Sequence, residues 1–377
     1  MTDREIVVGT LGAGFIGSFH SYSVAMQKLV KNRLPAAIRL KTIVDLNEAS
    51  RAEVIDRFGY ESGGDDWRAI FDDPEVNVFI NAAPNDLHLE PTVVAAKKGL
   101  PVLCEKPLAP TADDALAMWS AAESARIVHQ AAFIYRFIPA VRYMREVIQG
   151  GDLGEPIHFR SAYLMSDYLN PDLGMSWRLD RKVAGTGTFG DLGSHHIDAA
   201  RYLIGEIDEV AAIAKVNVPE IGGRAVEVDD SFASIVRFES DIIGSIQASR
   251  VAAGYGHFGN IDVDCTNGSL RYQVGKLNEL QIAEGLNQGF RTIQVIKPEH
   301  PLADFWWEGG VQGSHPVGWV ECFVHQVHHF LGAVLGQHDV APLAATFKDG
   351  YRAAEVVDHM VASWKSGERI KVQYRDT

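Results

Sequence analysis

The sequence predicts an α/β protein in two parts. The first is an N-terminal Rossmann-type, doubly wound parallel sheet. The second is a C-terminal α/β domain with a large, mostly antiparallel open sheet. Three observations carry this. The first third alternates apolar strand-like runs with amphipathic stretches that stop at glycines, the rhythm of a parallel sheet with helices on both faces. The run VVGTLGAGFIG at 7–17 opens that rhythm with a glycine-rich turn. From about Gly151 the pattern changes to alternating β-rich segments with hairpin signals.

Taken in order, VVGTLGAG reads as a strand and turn, followed by a helix from about Phe15 to Val30. IRLKTIVD is a second strand ending at Asp45, and ASRAEVIDRFG a helix capped by Gly59. DWRAIFDDP gives a short helix, VNVFINAAP a third strand, and HLEPTVVAAKKG a helix ending at Gly99. LPVLCEKP is a fourth strand, ADDALAMWSAAESAR a helix and ARIVHQAAF a fifth strand. Beyond Gly151, PIHFRSAYL, EVAAIAKVNV, DSFASIVRFE, IIGSIQASRV and ELQIAE read as strands. Asn267-Gly268 marks a hairpin of the type I′ kind. A helix from about Asp191 to Ile204 interrupts them, and two more are expected near 320–335 and 350–365. The division falls after Arg136, giving domains 1–136 and 137–377.

Composition narrows the function. A chain of 377 residues forms about two domains. Its net charge of −14 comes without a basic stripe, which argues against nucleic acid as a partner. No run of about 18 apolar residues suggests a membrane span. The start MTDREIVVG lacks the basic and apolar regions of a secretory signal. Cys104, Cys265 and Cys322 are too widely spaced for a disulfide framework or a zinc site. Together these point to free thiols and a cytoplasmic protein.

Gly12, Gly14 and Gly17 stand in the GxGxxG spacing, after a strand and at the head of a helix. The first permits the tight turn, the second lets a pyrophosphate approach the main chain, and the third lets the helix sit close on the strand. The helix N-terminus offers free N–H groups to phosphates. Asp45 ends the second strand, where a carboxylate binds ribose hydroxyls and repels a 2′-phosphate. No arginine follows it, so NAD is favoured over NADP. Its alternative role is to cap the next helix.

Lys106 ends the fourth strand, at the sheet edge where ligands bind. A buried amine beside a cationic nicotinamide is expected to have a depressed pKa and to serve as acid or base. Glu105 and Pro107 restrain it. Asp191, His195 and Asp198 are spaced i, i+4, i+7, one face of a helix, so the carboxylate is expected to hold the imidazole tautomer. Gly185, Gly187 and Gly190 precede them, and are read as allowing a ligand to approach the backbone. The alternative is a capping Asp191 and a core histidine.

GAGFIG, AAPNDLHL, CEKP and GDLGSHHID, in that order, resemble the glucose–fructose oxidoreductase/inositol dehydrogenase/MocA family along essentially the whole chain. The resemblance implies a Rossmann domain, NAD as cofactor, and a second domain whose open sheet forms a homodimer or homotetramer. It implies catalytic roles for Lys106, Asp191 and His195. It implies cofactor contacts from Gly12, Gly14, Phe15, Ile16, Asp45, Glu105 and Lys106, and from the loop Ala83, Pro84, Asn85 and His88. Arg136, Trp177 and Arg178 extend that cofactor set. Tyr135, Tyr163 and Arg178 join the catalytic three around the substrate. The segment SWR at 176–178 and the Trp-rich loop after residue 303 look most like sugar dehydrogenases of the levoglucosan type. Ile134 departs from the family's FNYR pattern, while Tyr135 and Arg136 keep it.

The implied reaction is hydride transfer from a secondary alcohol of a sugar, anhydrosugar or cyclitol to NAD, with Lys106 or His195 taking the proton. The same residues would serve a redox-neutral glycoside cleavage through a transient 3-keto sugar. A cofactor-bound sensor is a third reading, against which the presence of both Lys106 and His195 argues. Arg136 and Arg178 leave the choice between neutral and anionic sugars open. Trp306, Trp307 and Trp319 suit the C–H faces of a sugar or plain packing. His325, His328 and His329 share a helix face but lack the glutamate of a zinc motif, and no metal is expected.

Overall fold

The computed structural model describes residues 4–170, 172–174, 176–297, 299–302 and 316–377. Trp306 and Trp307 lie outside them. Six parallel strands form the first sheet: β1 (Glu5–Leu11), β2 (Ala37–Val44), β3 (Ser62–Gly64), β4 (Val78–Asn81), β5 (Val102–Cys104) and β6 (His129–Ala131). Their order is β3-β2-β1-β4-β5-β6, so the direction of winding reverses between β1 and β4. Helices α1 (Phe15–Ala25), α2 (Glu48–Phe58), α3 (Arg68–Asp72), α4 (Leu89–Lys97) and α5 (Ala112–Ala125) connect them. β1 is buried from Ile6 to Leu11, as a central strand covered on both faces must be. β3 was not anticipated. It is three residues long and mostly exposed, with Ser-Gly-Gly giving no apolar signal.

Nine strands form the second sheet, in the order β16-β15-β14-β13-β7-β12-β11-β8-β17. They are β7 (Pro156–Leu164), β8 (Ile207–Lys215), β11 (Ser231–Phe238), β12 (Ile243–Ser249), β13 (Phe258–Cys265), β14 (Gly268–Gln273), β15 (Glu279–Glu284), β16 (Arg291–Gln294) and β17 (Ile370–Lys371). A separate small hairpin pairs β9 (Glu220–Ile221) with β10 (Arg224–Ala225). Every pair in the large sheet is antiparallel except β12 with β7. The turn between β13 and β14 differs from expectation. Cys265 pairs with Gly268, so the loop is Thr266-Asn267, and neither has positive φ. Gly268 lies in the strand, where a Cβ would meet the Ala283 carbonyl oxygen at 2.4 Å.

Among the described residues, five α-helices follow the first sheet, beginning with α6 (Pro139–Gly150), α7 (Arg181–Ala184), α8 (Ser194–Leu203) and α9 (Trp319–Val334). The last, α10 (Phe347–Ser366), packs against α5, and α9 packs against α1. Val327, Phe330 and Leu331 of α9 complete the core beneath β1 and β2. The end of the chain therefore returns to the first sheet. Among the described residues no helix is long and apolar enough to cross a membrane. Cys104, Cys265 and Cys322 are buried and unpaired.

Candidate active site

The carboxyl ends of β1, β2, β4 and β5 meet the start of α8 in one cleft. The chain leaves β1 through Gly12 at φ +100°. A Cβ on Gly12 would meet the Ala82 oxygen at 2.4 Å, and one on Gly17 the Gly12 oxygen at 2.0 Å. Only hydrogen fits in either place. At Gly14 the same construction meets nothing within 4 Å, so space opens there. Gly14 caps α1 without a side-chain hydrogen bond, and no acid stands in the first turn. The N–H groups from Gly14 through Ile16 thus have no intrahelical acceptor and carry the positive end of the helix. Gly12 N–H donates to the Val44 oxygen at 2.8 Å, and Ala13 N–H to Asp45 Oδ2 at 2.7 Å. The Gly12 amide is already engaged, so this residue's visible role is to shape the turn.

Asp45 follows β2, with Oδ1 accepting from Asn47 N–H at 2.8 Å. It is not the cap of α2. Asn47 is, accepting from Ser50 N–H. An open cradle at Gly14, an uncapped helix N-terminus and a carboxylate at the sheet edge fit a dinucleotide's pyrophosphate and ribose.

The loop after β4 is braced rather than free. Asn85 Nδ2 donates to the Ala184 oxygen at 3.0 Å, joining the loop to α7. His88 is fully buried, its Nδ1 3.1 Å from the carbonyl oxygens of Pro107 and Leu108 and its Nε2 3.0 Å from that of Ala83. Burial lowers its pKa. His88 therefore buttresses the loop from inside. Ala83 is buried and Pro84 half-buried beside it.

Lys106 follows β5 and reaches across the cleft. Its Nζ donates to Asp191 Oδ1 at 2.8 Å and to the Asp191 carbonyl oxygen at 2.9 Å. The two side chains form an ion pair. Residues Phe189–Gly193 form a π-helical turn before α8. Such a turn displaces the backbone bonding pattern by one residue, which breaks the expected face of Asp191, His195 and Asp198. Buried Asp229 pins the segment, accepting from Gly187 N–H at 2.8 Å and Phe189 N–H at 2.9 Å. A Cβ on Gly187 would meet the Asp229 oxygen at 1.7 Å, so this glycine admits the protein's own backbone.

Asp191 Oδ2 is bonded by Arg250 and lies 3.6 Å from Arg178 Nε. Burial works to raise the Asp191 carboxyl, but Lys106, Arg250 and Arg178 outweigh it and hold it well below the carboxylate range. No hydrogen bond joins Asp191 to His195. The expected tautomer-holding contact is thus corrected: three cations draw the carboxylate the other way. His195 is buried, stacked on Tyr135 with centroids 5.0 Å apart, and Tyr163 lies 6.3 Å away. Burial first, and then the charge of Lys106, hold its pKa well below the ordinary value. The ring is neutral at physiological pH. Its Nδ1 has no hydrogen-bond partner among the described residues.

Arg136 Nε and Nη2 donate to Asp198 at 2.9 and 2.6 Å, Nη2 also to Asp349 at 3.1 Å and Nη1 to the Ala344 oxygen at 3.2 Å. A buried guanidinium needs such partners. Arg136 and Asp198 are thus bound to each other, with Asp349 and the Ala344 carbonyl completing the guanidinium's partners. Trp177 and Arg178 remain at the rim, the guanidinium carbon 4.4 Å above the indole. A small pocket opens among Asn85, Tyr168, Trp177, Arg178, Asp191 and Arg250.

Sequence reading missed Arg250, which also bonds Asp167 and lies over Tyr168, and His257, whose Nε2 is 3.1 Å from Tyr163 Oη. Arg250 left one signal. Gly244, Ile246 and Ala248 form the buried phase of β12, and Arg250 continues it as a charge. The histidines of α9 hold no metal cluster among the described residues. His328 Nδ1 lies 2.8 Å from Gln27 Oε1, and His329 Nε2 2.9 Å from the Val340 oxygen.

Comparison with known proteins agrees with this fold. A family model described as an oxidoreductase family with an NAD-binding Rossmann fold matches residues 6–133. A GFO/IDH/MocA C-terminal domain model matches residues 141–271. A levoglucosan dehydrogenase from Pseudarthrobacter phenanthrenivorans is 35% identical over 96% of each chain. An inositol 2-dehydrogenase from Rubrobacter xylanophilus is 28% identical over 98% of this chain and 94% of its own. The solved complex of levoglucosan dehydrogenase with NADH and levoglucosan superposes with a TM-score of 0.92 at 34% identity, covering 98% of this chain and 100% of that one.

Proposed function

The chain belongs to the GFO/IDH/MocA family of oxidoreductases, and from that premise we propose that it oxidises a secondary alcohol of a sugar, anhydrosugar or cyclitol with NAD. The observation that carries the reading is the Lys106–Asp191 pair, held at the sheet edge beside the uncapped N-terminus of α1. An anhydrosugar is the first substrate to try, because the levoglucosan dehydrogenase matches this chain over nearly its whole length.

A bound NAD would supply a hydride acceptor for the carbinol hydrogen. The residues of the chain would place it and handle the proton. Phe15 and Ile16 N–H groups would hold the phosphates, and Asp45 the adenosine ribose. Glu105, Ala83, Pro84, Asn85, Trp177 and Arg178 close around the remainder. Lys106 keeps a third N–H for the substrate hydroxyl after its two bonds to Asp191. The neutral His195 has a lone pair to accept the hydroxyl proton, which Lys106, engaged with a carboxylate, lacks. Tyr135 and Tyr163 wall the sugar beside it. The alcohol leaves as a ketone, the proton stays on the imidazole, and solvent then removes it. We also place the division between the two domains at residues 136/137, the reaction in the cytoplasm, and a homodimer or homotetramer contact on the open sheet face.

The test is a panel of levoglucosan, aldoses, inositols and acidic sugars incubated with the purified protein and NAD. NADH formed in step with ketone is the expected result. Release of sugar from a glycoside at catalytic NAD would replace this reading with redox-neutral cleavage. No product from any panel member would leave a sensor. Lys106→Ala should lower kcat by roughly 10²–10⁴-fold with little change in NADH affinity. Near-normal turnover would remove Lys106 from the chemistry.

A further inference from the structure

We propose that His20, on the buried face of α1, is a positioning residue that holds the Lys106 strand end in register through Glu105. The inference rests on the reaction proposed above, in which Lys106 binds the substrate hydroxyl. His20 is fully buried, and its Nε2 lies 2.7 Å from Glu105 Oε1. The other oxygen, Glu105 Oε2, accepts the main-chain N–H of Lys106 at 3.0 Å. Glu105 N–H in turn donates to the Asn81 oxygen of β4 at 2.8 Å. One carboxylate thus ties α1 to the residue that carries the amine.

The surroundings select one tautomer. His20 Nδ1 is buried without a hydrogen-bond partner among the described residues, and the ring stands edge-on to Phe323 of α9 at 5.7 Å. A proton on Nδ1 would be a buried, unsatisfied donor, and would leave Nε2 facing a carboxylate oxygen that can only accept. The proton therefore sits on Nε2 and donates to Glu105. Apolar replacement of His20 leaves the carboxylate buried with only its Lys106 N–H bond. It then has reason to turn toward solvent or the cleft and release the strand end.

The helix also links two functions. Its first turn bears the N–H groups offered to the phosphates, and His20 lies one turn further along the same rigid element. The bond from His20 to Glu105 fixes the distance between that phosphate cradle and the Lys106 main chain.

The experiment compares His20→Leu and His20→Gln with the parent, Gln being able to place an N–H near the position of Nε2. The readouts are the rate at which an amine-reactive acetylating reagent modifies Lys106, followed by mass spectrometry, and kcat with KM on the best substrate. His20→Leu should raise Lys106 acetylation at least threefold and lower kcat at least tenfold, with KM for NAD changed less. His20→Gln should recover most of both. Acetylation and kcat within twofold of the parent in His20→Leu would overturn the proposal. So would a Gln variant as impaired as the Leu variant at equal Tm. Should the Leu variant not fold, His20→Met fills the site more adaptably and is read the same way. A parent inactive on every sugar would refute the proposed reaction, while the acetylation comparison would still decide the role of His20.

Discussion

His195 and Asp191 show how an environment can reverse what spacing suggests. Four residues apart on a regular helix they would pair, but the π-helical turn and the cations Lys106, Arg250 and Arg178 separate their roles. The consequence is a pH prediction. The groups acting on His195 are burial, Lys106, His196 and His257, which lower its pKa, and Asp191, which raises it less. A base must be neutral to accept a proton, so a depressed pKa extends activity toward acid. The acid limb of kcat should fall below pH 6.5, the ordinary histidine value. A limb centred at or above that value would point to another base. Residue chemistry was partly legible: Lys106, Asp191 and His195 do converge. The unread part was the partners, because Arg250 and Asp167 come from distant segments with no shared motif.

At the scale of elements, the glycine turn makes separable predictions. Gly14→Ala puts a methyl into open space at φ −72°, so Tm should hold while the Kd for NADH rises at least tenfold. Gly17→Ala drives Cβ into the Gly12 carbonyl at 2.0 Å, so α1 must move and both Tm and NADH affinity should drop. Thermal melts with NADH titration check both. Equal losses of Tm in the two variants would contradict the reading of Gly14 as cradle. The strand–helix alternation of the first sheet was legible because most of its strands are apolar runs and glycines follow α2 and α4. β3 was not, since three polar or glycine residues form a strand only because β2 is already beside them.

Across the whole molecule, the open face of the large sheet carries Ile213, Ile235 and Ile243 at 73, 62 and 57% exposure. The register places Ile213 opposite Ala233 and Ile235 between Ala211 and Ser245, an apolar patch bordered by Arg237 opposite Ile243. On the same face Arg160 pairs with Asp264 at 3.1 Å and Arg271 with Asp262 at 2.5 Å. An apolar patch flanked by charges suits a second copy. If the proposed homo-oligomer forms through this face, Ile213→Lys with Ile235→Lys should give a monomer in sedimentation, and an oligomer of unchanged mass would move the interface elsewhere. The buried histidines set the acid stability. His196 and His325 are pushed down to about 3 by burial, against about 6.5 when unfolded. Unfolding takes up their protons, so stability is lost progressively as pH falls below 6.5. Each contributes about 1.4 kcal/mol per pH unit in that window. Tm should fall between pH 7 and pH 5, above the carboxylate range, and a level Tm there would show the rings to be charged in the fold.

The sequence alone determined what depends on local chemistry: the glycine turn, the strand rhythm, the acid after β2 and the amine after β5. These follow from backbone sterics and periodicity within a few residues. Only the tertiary structure decided which groups touch. Arg136 turned to Asp198, His88 to carbonyls, Arg250 to Asp191 and His20 to Glu105, because a buried charge or donor takes whichever partner the packing brings within reach. That choice is made between segments far apart in the chain, where no spacing rule applies.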